Sequence, residues 1–421
     1  TGVVGSAGAP GVIKVDVYDT WFFVRIAMEF DLGLARSYMA GEWEVQDTGP
    51  YADGLTKLLN MFVSNRDSPR SSFSESNLLT SAIGMVINYV YYRLTMQNTL
   101  SGSKANIHAH YDLSNDLFSK FLDKELMMYS SAIYATKQDD KNAGGLQLYG
   151  TLEDAQIRKV DTLLDRLNLD EHCHMLDIGF GWGGISIRAA QRFGCRVHGI
   201  TLSKEQKALA EERMVAAGVQ DLITFEMKDY RILARERPGD FDRIISCEMI
   251  EAVGHEFLPE FFHCVENLLA RDGIFVMEAI TTPESRYEAY RKSTDFINTI
   301  IFPGSCCPSM HALVDAMAKK SKLYLANVQN IDVHYARTLR DWRIRFCDAI
   351  ASGALPVEKF DEEFVRCWNY YLCYCETGFI TQTEHCLILT FSRIGNCNAT
   401  TGRGVQAIGE HSFGAVKGAA E

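Results

Sequence analysis

Apolar residues recur with two alternating spacings along residues 151–279. In Thr151–Leu167 they stand three and four residues apart, which predicts an amphipathic helix, whereas short continuous apolar runs predict buried strands. Further helices are predicted at Ile185–Phe193, Lys204–Ala217 and Leu258–Leu269, and strands at His174–Ile178, Arg196–Ile200, Ile223–Met227, Phe241–Cys247 and Gly273–Ala279. Because strands alternate with helices, we predict an α/β fold with a doubly wound parallel sheet that binds its ligand at the carboxyl ends of the strands.

The pattern before residue 105 is less regular. Apolar runs at Ile13–Val17 and Trp21–Val24 are β-like, and Leu32–Met39 is helix-like. The apolar run Leu78–Tyr92 is shorter than the roughly 20 residues that span a bilayer. We therefore predict a smaller N-terminal, lipid-contacting lobe at 1–104, in which 1–11 are disordered and a helical segment connects to the next domain. A catalytic domain at 105–394 and a flexible tail at 395–421 complete the predicted organisation.

Composition and charge narrow the class of protein. The 421 residues are 47% hydrophobic and 23% charged, as in ordinary globular domains, and the net charge of −12 disfavours a nucleic-acid partner. The twelve cysteines contain no C-x-x-C pair, so we predict reduced thiols in a cytoplasmic protein and no metal site.

The sharpest motif is the glycine-rich turn LDIGFGWGG at 176–184, between a predicted strand and a predicted helix. Gly179, Gly181 and Gly184 satisfy the dinucleotide pattern G-x-G-x-x-G. That class of enzyme places an acidic residue or an arginine at the end of the next strand, and residues 199–203 offer neither. The dinucleotide interpretation is therefore the weaker of two.

The alternative ligand is S-adenosylmethionine (SAM), for which the pattern is D-x-G-x-G-x-G. Asp177, Gly179, Gly181 and Gly183 satisfy it. Asp229 and Tyr230 follow the third predicted strand, where an adenine pocket would form, and the Gln206 amide can bind ribose hydroxyls. We favour the methyl donor.

Several ordered blocks make the sequence resemble the cyclopropane-fatty-acyl-phospholipid synthase family, which includes plant-type and mycolic acid cyclopropane synthases. The blocks are DLGLARSYMAGEWEVQD (31–47), HYDLSNDLFSKFLD (110–123), MYSSAIY (128–134), LDIGFGWGG (176–184), GITLSKEQ (199–206), SCEMIEAVGHE (246–256), IFPGSCCPS (301–309) and HYARTLRDW (334–342). The resemblance implies a cofactor pocket formed by Tyr129, Ser130, Gly179, Gly181, Thr201, Leu202, Gln206, Asp229 and Tyr230.

The resemblance also implies a reaction: a methylene group passes from SAM to a cis double bond of a phospholipid acyl chain and forms a cyclopropane ring. In relatives, bicarbonate held by a Glu, a His, a Tyr and backbone amides removes the proton. Glu251 and Tyr335 match the Glu and the Tyr, and Ile280 belongs to the same site. Glu278 stands where the His is expected, and Ser131 where a Cys is usual.

Glu278 is the more consequential departure, because two carboxylates around one anion repel each other. We expect Glu278 to be protonated, to point away, or to replace the external base. The alternatives are SAM-dependent methylation of a lipid alkene or amine without ring closure, and a catalytically inactive lipid-binding module without affinity for SAM.

A lipid substrate implies a phospholipid membrane surface as partner, with the protein peripherally associated. Arg337, Arg340, Arg343 and Arg345 form a basic cluster on a predicted helix that would suit phosphate head groups, although a solvated face is the ordinary interpretation. A homodimer is left open.

Overall fold

The computed structural model describes residues 12–46, 53–65, 115–139, 145–356 and 358–396. The predicted disorder of 1–11, the run Leu78–Tyr92, the block residues 110–114 and the tail beyond 396 lie outside the described residues. These expectations stay predictions.

A seven-stranded sheet is the centre of the fold and confirms the predicted fold class. Its strands are β5 (His174–Ile178), β6 (Arg196–Thr201), β7 (Ile223–Met227), β8 (Phe241–Cys247), β9 (Leu269–Thr281), β10 (Leu323–Asn330) and β11 (His385–Arg393). The order across the sheet is β10-β11-β9-β8-β5-β6-β7. Strand β11 is antiparallel to β9 and β10, and the pairs from β9 to β7 are parallel.

Helices pack on both faces of this sheet. They are α4 (Leu152–Leu167), α5 (Gly184–Phe193), α6 (Lys204–Ala216), α7 (Tyr230–Glu236), α8 (Leu258–Leu268), α9 (Glu284–Tyr290), α10 (Met310–Lys320), α11 (Asp332–Ala351) and α12 (Glu362–Ile380). Met175 and Ile245 belong to one hydrophobic cluster, whereas their neighbours Leu176 and Ile244 belong to the other. This alternation is expected of strands buried on both faces.

The first described elements are β1 (Val15–Val17), α1 (Trp21–Met39), β2 (Trp43–Val45), α2 (Gly54–Asn65), α3 (Asn115–Phe121), β3 (Ala135–Asp139) and β4 (Gly145–Tyr149). The β-like prediction for Trp21–Val24 is wrong, because these residues form the first turn of α1. A four-residue apolar run does not carry enough periodicity to separate a strand from a helix.

Helices α1 and α2 pack against α12, far along the chain. The Arg366 guanidinium of α12 lies 4.2 Å from the centre of the Tyr38 ring and donates to the Trp43 carbonyl oxygen. These contacts join the N-terminal elements to the same hydrophobic cluster as α4 and α11. The predicted domain boundary at 104 lies outside the described residues and stays a prediction. No helix in the described part of the chain is long and apolar enough to cross a membrane.

Candidate active site

A cavity opens at the carboxyl ends of β5, β6 and β8, where the order of the strands reverses. Open α/β sheets bind ligands at this kind of position. Its floor is the turn after β5, in which Gly179, Gly181 and Gly183 all have positive φ, at 85°, 55° and 81°. Residues with side chains rarely adopt this conformation, so the turn requires glycine.

Nine of the residues predicted to hold the cofactor line this one cavity. They are Tyr129, Ser130, Gly179, Gly181, Thr201, Leu202, Gln206, Asp229 and Tyr230. A Cβ built on Gly181 would meet nothing within 4 Å, so the turn leaves an open cradle. A Cβ on Gly184 would lie 2.3 Å from the Leu126 carbonyl oxygen, so glycine is needed there for close packing. The lining fits a nucleoside cofactor such as SAM.

Two other predicted cofactor residues lie behind the cavity wall. The buried Asp177 carboxylate accepts a hydrogen bond from the Ser186 hydroxyl at 2.7 Å, and burial raises the pKa of Asp177 to about 7. Gly183 is the residue before α5, and its missing Cβ would meet Phe225 and Ala210. Both therefore shape the turn from outside the cavity lining.

Asp229 and Gln206 already have partners within the chain. Asp229 accepts from the Nε and Nη2 atoms of Arg231 at 2.9 and 2.7 Å, and it caps α7 by accepting from the Arg231 backbone N–H. The Thr201 hydroxyl donates to the Gln206 side chain at 3.3 Å. These contacts hold both polar groups at the ends of β6 and β7, where they line the cavity.

The predicted catalytic residues meet a carboxylate that the sequence did not single out. The Tyr335 hydroxyl donates to Glu248 Oε2 at 2.5 Å, and the Ser131 backbone N–H donates to Glu248 Oε1 at 2.8 Å. Glu248 also lines the cavity. Burial, followed by the charges of Glu278 and Glu251, raises the pKa of Glu248 well above its usual value.

Glu251 and Ile280 form a second contact in the same region. The Ile280 backbone N–H donates to Glu251 Oε1 at 2.6 Å. Burial raises the pKa of Glu251 to about 7. Of the predicted residues, Ile280 thus donates to the Glu251 carboxylate, and Ser131 and Tyr335 donate to the Glu248 carboxylate.

The Glu278 side chain is fully buried and forms an ion pair with a buried lysine. Its Oε2 atom lies 3.5 Å from the Lys159 Nζ atom, and neither side chain is exposed. The Lys159 ammonium also donates to the Ser130 hydroxyl. Among the described residues, Glu248, Glu278 and Cys386 offer ligand atoms within 4.8 Å of one another, but Lys159 already supplies a positive charge there.

The sequence carried a weak signal for each residue that was missed. Lys159 occupies a position on the buried face of α4, between Ala155 and Leu163, where an apolar residue is expected. Glu248 stands between β8 and Glu251 in the block that carries the resemblance. Neither signal says that these two residues, 89 positions apart, would come close enough to interact electrostatically.

The four arginines of the predicted basic cluster all have acidic partners within the chain. Arg337 pairs with Asp341, Arg340 with Glu376, Arg343 with Asp53 and Arg345 with Glu153. The Arg343 side chain is only 5% exposed. Arg337 pairs within α11, whereas Arg340, Arg343 and Arg345 pair with residues outside that helix. The binding of phosphate head groups by these arginines stays a prediction.

Comparison with known proteins places these observations in a family. The model of the mycolic acid cyclopropane synthetase family matches residues 99–388. The tuberculostearic acid methyltransferase UfaA1 of Mycobacterium tuberculosis is 36% identical over 357 residues, which are 84% of this chain and 77% of that protein. The cyclopropane-fatty-acyl-phospholipid synthase of Escherichia coli strain K12 is 31% identical over 394 residues, 93% of this chain and 90% of that protein.

Solved structures agree with this likeness. Mycolic acid cyclopropane synthase CmaA1, complexed with SAH and CTAB, is similar with a TM-score of 0.59 and 29% identity, over 69% of this chain and 98% of that one. Coclaurine N-methyltransferase, bound to N-methylheliamine and SAH, has a TM-score of 0.60 over 86% of this chain and 99% of that one. At 17% identity the second likeness shows the fold alone.

Proposed function

Because the chain belongs to the mycolic acid cyclopropane synthetase family and is a SAM-dependent methyltransferase, we propose that it cyclopropanates cis double bonds of phospholipid acyl chains. SAM supplies an electrophilic methyl group bound to a positively charged sulfur. SAM, and not a dinucleotide, is the cofactor for which the cavity is built.

One observation carries the proposal. The carboxylate held by Ser131 and Tyr335 belongs to the wall of the same cavity as the glycine turn. Cyclopropanation needs both a methyl donor and a proton acceptor at one place. Methyl transfer to an amine also releases a proton, so the lipid products distinguish that reaction from cyclopropanation.

The first chemical step requires a dry, oriented site, because an alkene is a weak nucleophile. Its π electrons form the new carbon–carbon bond to the methyl group, and a positive charge develops on the other alkene carbon. The rings of Tyr129, Phe180 and Trp182 line the cavity, and aromatic faces stabilise a cation. The Tyr129 hydroxyl is bonded to the Tyr371 hydroxyl at 2.9 Å, which fixes the orientation of its ring.

The second step removes one proton from the transferred methyl group. The electrons of that C–H bond then close the ring onto the cationic carbon, and the lipid has gained one CH2. A carboxylate is a suitable acceptor, and it also stabilises the cation before the proton leaves.

Lipid mass spectrometry tests this proposal. Purified protein, SAM and vesicles of mono-unsaturated phosphatidylethanolamine and phosphatidylglycerol should yield phospholipids heavier by one CH2 whose new group resists mild catalytic hydrogenation. Saturated phospholipids serve as the control and should gain nothing. Unchanged unsaturated lipid would contradict the proposal.

Methylation without ring closure is the second candidate, and the likeness to a tuberculostearic acid methyltransferase favours it. Ser131 and Glu278, which depart from the pattern expected of ring-forming relatives, agree with it. Loss of a proton from a chain carbon next to the cationic carbon would then leave a methyl-branched alkene, with the same mass gain as the ring. Such a product takes up hydrogen in the hydrogenation assay.

We also propose that α1 contacts the lipid surface. Trp21, Phe23 and Met28 are 61%, 61% and 64% exposed on this helix, and an exposed aromatic and aliphatic surface of this kind is suited to the interface of a bilayer. The substrate's acyl chains lie in a membrane, so the enzyme must reach them there.

A further inference from the structure

We propose that Glu248 is the base of the reaction, a carboxylate built into the chain that receives the proton from the transferred methyl group. This inference rests on the proposed function. It assigns a catalytic role to a side chain at the place where the sequence led us to expect an external bicarbonate ion.

The hydrogen bonds around Glu248 support this assignment. The two groups expected to hold bicarbonate, the Ser131 backbone N–H and the Tyr335 hydroxyl, both donate to the Glu248 carboxylate, at 2.8 and 2.5 Å. The Ile280 backbone N–H donates to Glu251. With these three donors bonded to side-chain carboxylates, a free anion would have to displace a carboxylate to be held there.

The backbone conformation of Glu248 also supports its assignment as the base. Its φ is +46°, in the left-handed region that glycine favours and that residues with side chains rarely adopt. Strain of this kind is retained where the surrounding contacts and the function require that residue. Here the strained backbone directs a carboxylate into the pocket wall, next to the glycine turn: the Cβ that Gly179 lacks would lie 3.1 Å from the side chain of the next residue, Met249.

The charges around Glu248 explain how it can act. Burial, with repulsion from Glu278 and Glu251, raises the pKa of Glu248, and the ammonium group of Lys159 is a buried positive charge beside these carboxylates. Tyr335 donates to it, and the thiol of Cys386 lies 3.8 Å away. A positively charged methyl donor bound in the same cavity favours the ionised form of this carboxylate, so base and donor become active together.

The proposed step balances without any further reactant. One C–H bond of the transferred methyl group breaks, its proton forms an O–H bond with Glu248, and its electron pair forms the ring bond to the cationic carbon. After the products leave, the protonated Glu248 returns its proton to solvent through the open cavity.

The test compares the wild-type protein with Glu248→Gly, Glu248→Gln and the control Gln382→Gly. Glu248→Gly relieves the backbone strain, so it should fold at least as stably as the wild type. Gln382 also has a positive φ, +53°, and does not line the cavity. Gln382→Gly therefore relieves a similar backbone strain without changing the site.

Turnover is measured in buffer depleted of carbon dioxide and bicarbonate, and then with added bicarbonate or formate. We expect wild type and Gln382→Gly to be unaffected by depletion, and both Glu248 variants to lose at least ~10²-fold in turnover. Added bicarbonate or formate should restore part of the turnover of Glu248→Gly, because glycine leaves room for a small anion. It should not restore that of Glu248→Gln, whose side chain fills the site.

Two measurements are independent of turnover. Calorimetry with S-adenosylhomocysteine should give the same affinity for all four proteins, which shows that the cavity is intact. Carbon-13 NMR of labelled bicarbonate should show binding to Glu248→Gly and none to the wild type.

Wild-type turnover that requires bicarbonate, or Glu248→Gln with unimpaired turnover, would overturn the assignment of Glu248. An absence of lipid product with wild type under every condition would instead refute the proposed function. The two failures are therefore distinguishable.

Discussion

At the scale of single residues, an ion pair without exposed surface lies next to the cavity lining. Lys159 and Glu278 lie 3.5 Å apart, and both are fully buried. Removal of one partner leaves a buried charge without compensation, whereas the pair as a whole contributes little to stability.

We therefore expect Lys159→Met to lower the free energy of unfolding by about 3–5 kcal/mol, measured by urea denaturation. The matched control is Lys207→Met, which breaks the partly exposed pair with Glu211 on α6 and should cost at most about 0.5 kcal/mol. Equal losses in the two variants would show that the buried pair has no special role.

A second residue-scale prediction concerns pH. Burial raises the pKa of Asp177 to about 7 from its usual value of 3.8, with Ser186 and Lys159 acting in the opposite direction. A raised folded-state pKa means that the stabilisation is complete below about 4 and is lost as the pH rises to about 7. Asp177→Asn should remove this dependence. Urea denaturation between pH 4 and 8 should show the stability of wild type falling relative to the variant by roughly 4 kcal/mol, and parallel curves would contradict the prediction.

Residue chemistry was only partly predictable from the sequence. Seven of the nine cofactor residues in the cavity lie at or after the ends of β5, β6 and β7, and strand ends are visible in the hydropathy pattern. The other two, Tyr129 and Ser130, follow no described strand and were predicted only from the family resemblance. Glu248 and Lys159 were missed because their proximity depends on how α4 packs against the sheet, where it contacts β9. The pairing of Arg343 with Asp53, 290 residues apart, could not be predicted either, because it also depends on how distant segments of the chain pack together.

At the scale of elements, the strongest predictions came from long periodic segments. The strands His174–Ile178, Ile223–Met227 and Phe241–Cys247 are confirmed to the residue, and α4 begins one residue after its predicted start because Thr151 caps it. The boundary near Leu269 was displaced: the predicted helix ended there and a strand was expected only from Gly273, whereas β9 already begins at Leu269. Pairing across the sheet decided this boundary.

The turn between β5 and α5 gives a prediction at this scale. Gly181→Ala places a methyl group in the open cradle and forces a left-handed alanine, so S-adenosylhomocysteine affinity should fall at least tenfold while stability drops by about 1 kcal/mol. Gly194→Ala at the other end of α5 has a similar φ, +68°, and faces away from the cavity. It should lose the same stability and no affinity in calorimetry; equal affinity losses would argue against the cradle.

At the scale of the whole molecule, the net charge of −12 says little about lipid binding, because the suspected basic cluster is paired internally. We therefore propose that the exposed apolar side chains of α1 contact the lipid. The double substitution Trp21→Ser with Met28→Ser should lower the affinity for phospholipid vesicles, measured by co-sedimentation, at least ~10²-fold, since each side chain contributes about 1.5–3 kcal/mol when buried.

The matched control for this surface is Val215→Ser, because Val215 is also 61% exposed but lies on α6. Vesicle binding of this control should equal that of wild type. Equal binding by all three proteins would refute docking through α1, and an equal loss in both variants would indicate nonspecific adhesion.

The central claim is that the cavity joins a methyl donor to a proton acceptor for chemistry on a lipid double bond. It is tested most directly by incubating the protein with SAM carrying a trideuterated methyl group and mono-unsaturated phospholipid vesicles, followed by lipid mass spectrometry. The account predicts acyl chains that gain the labelled carbon with one deuterium lost, in a group that resists hydrogenation. Lipids that keep all three deuteriums, as after methylation of a head-group amine, or lipids without label, would contradict it.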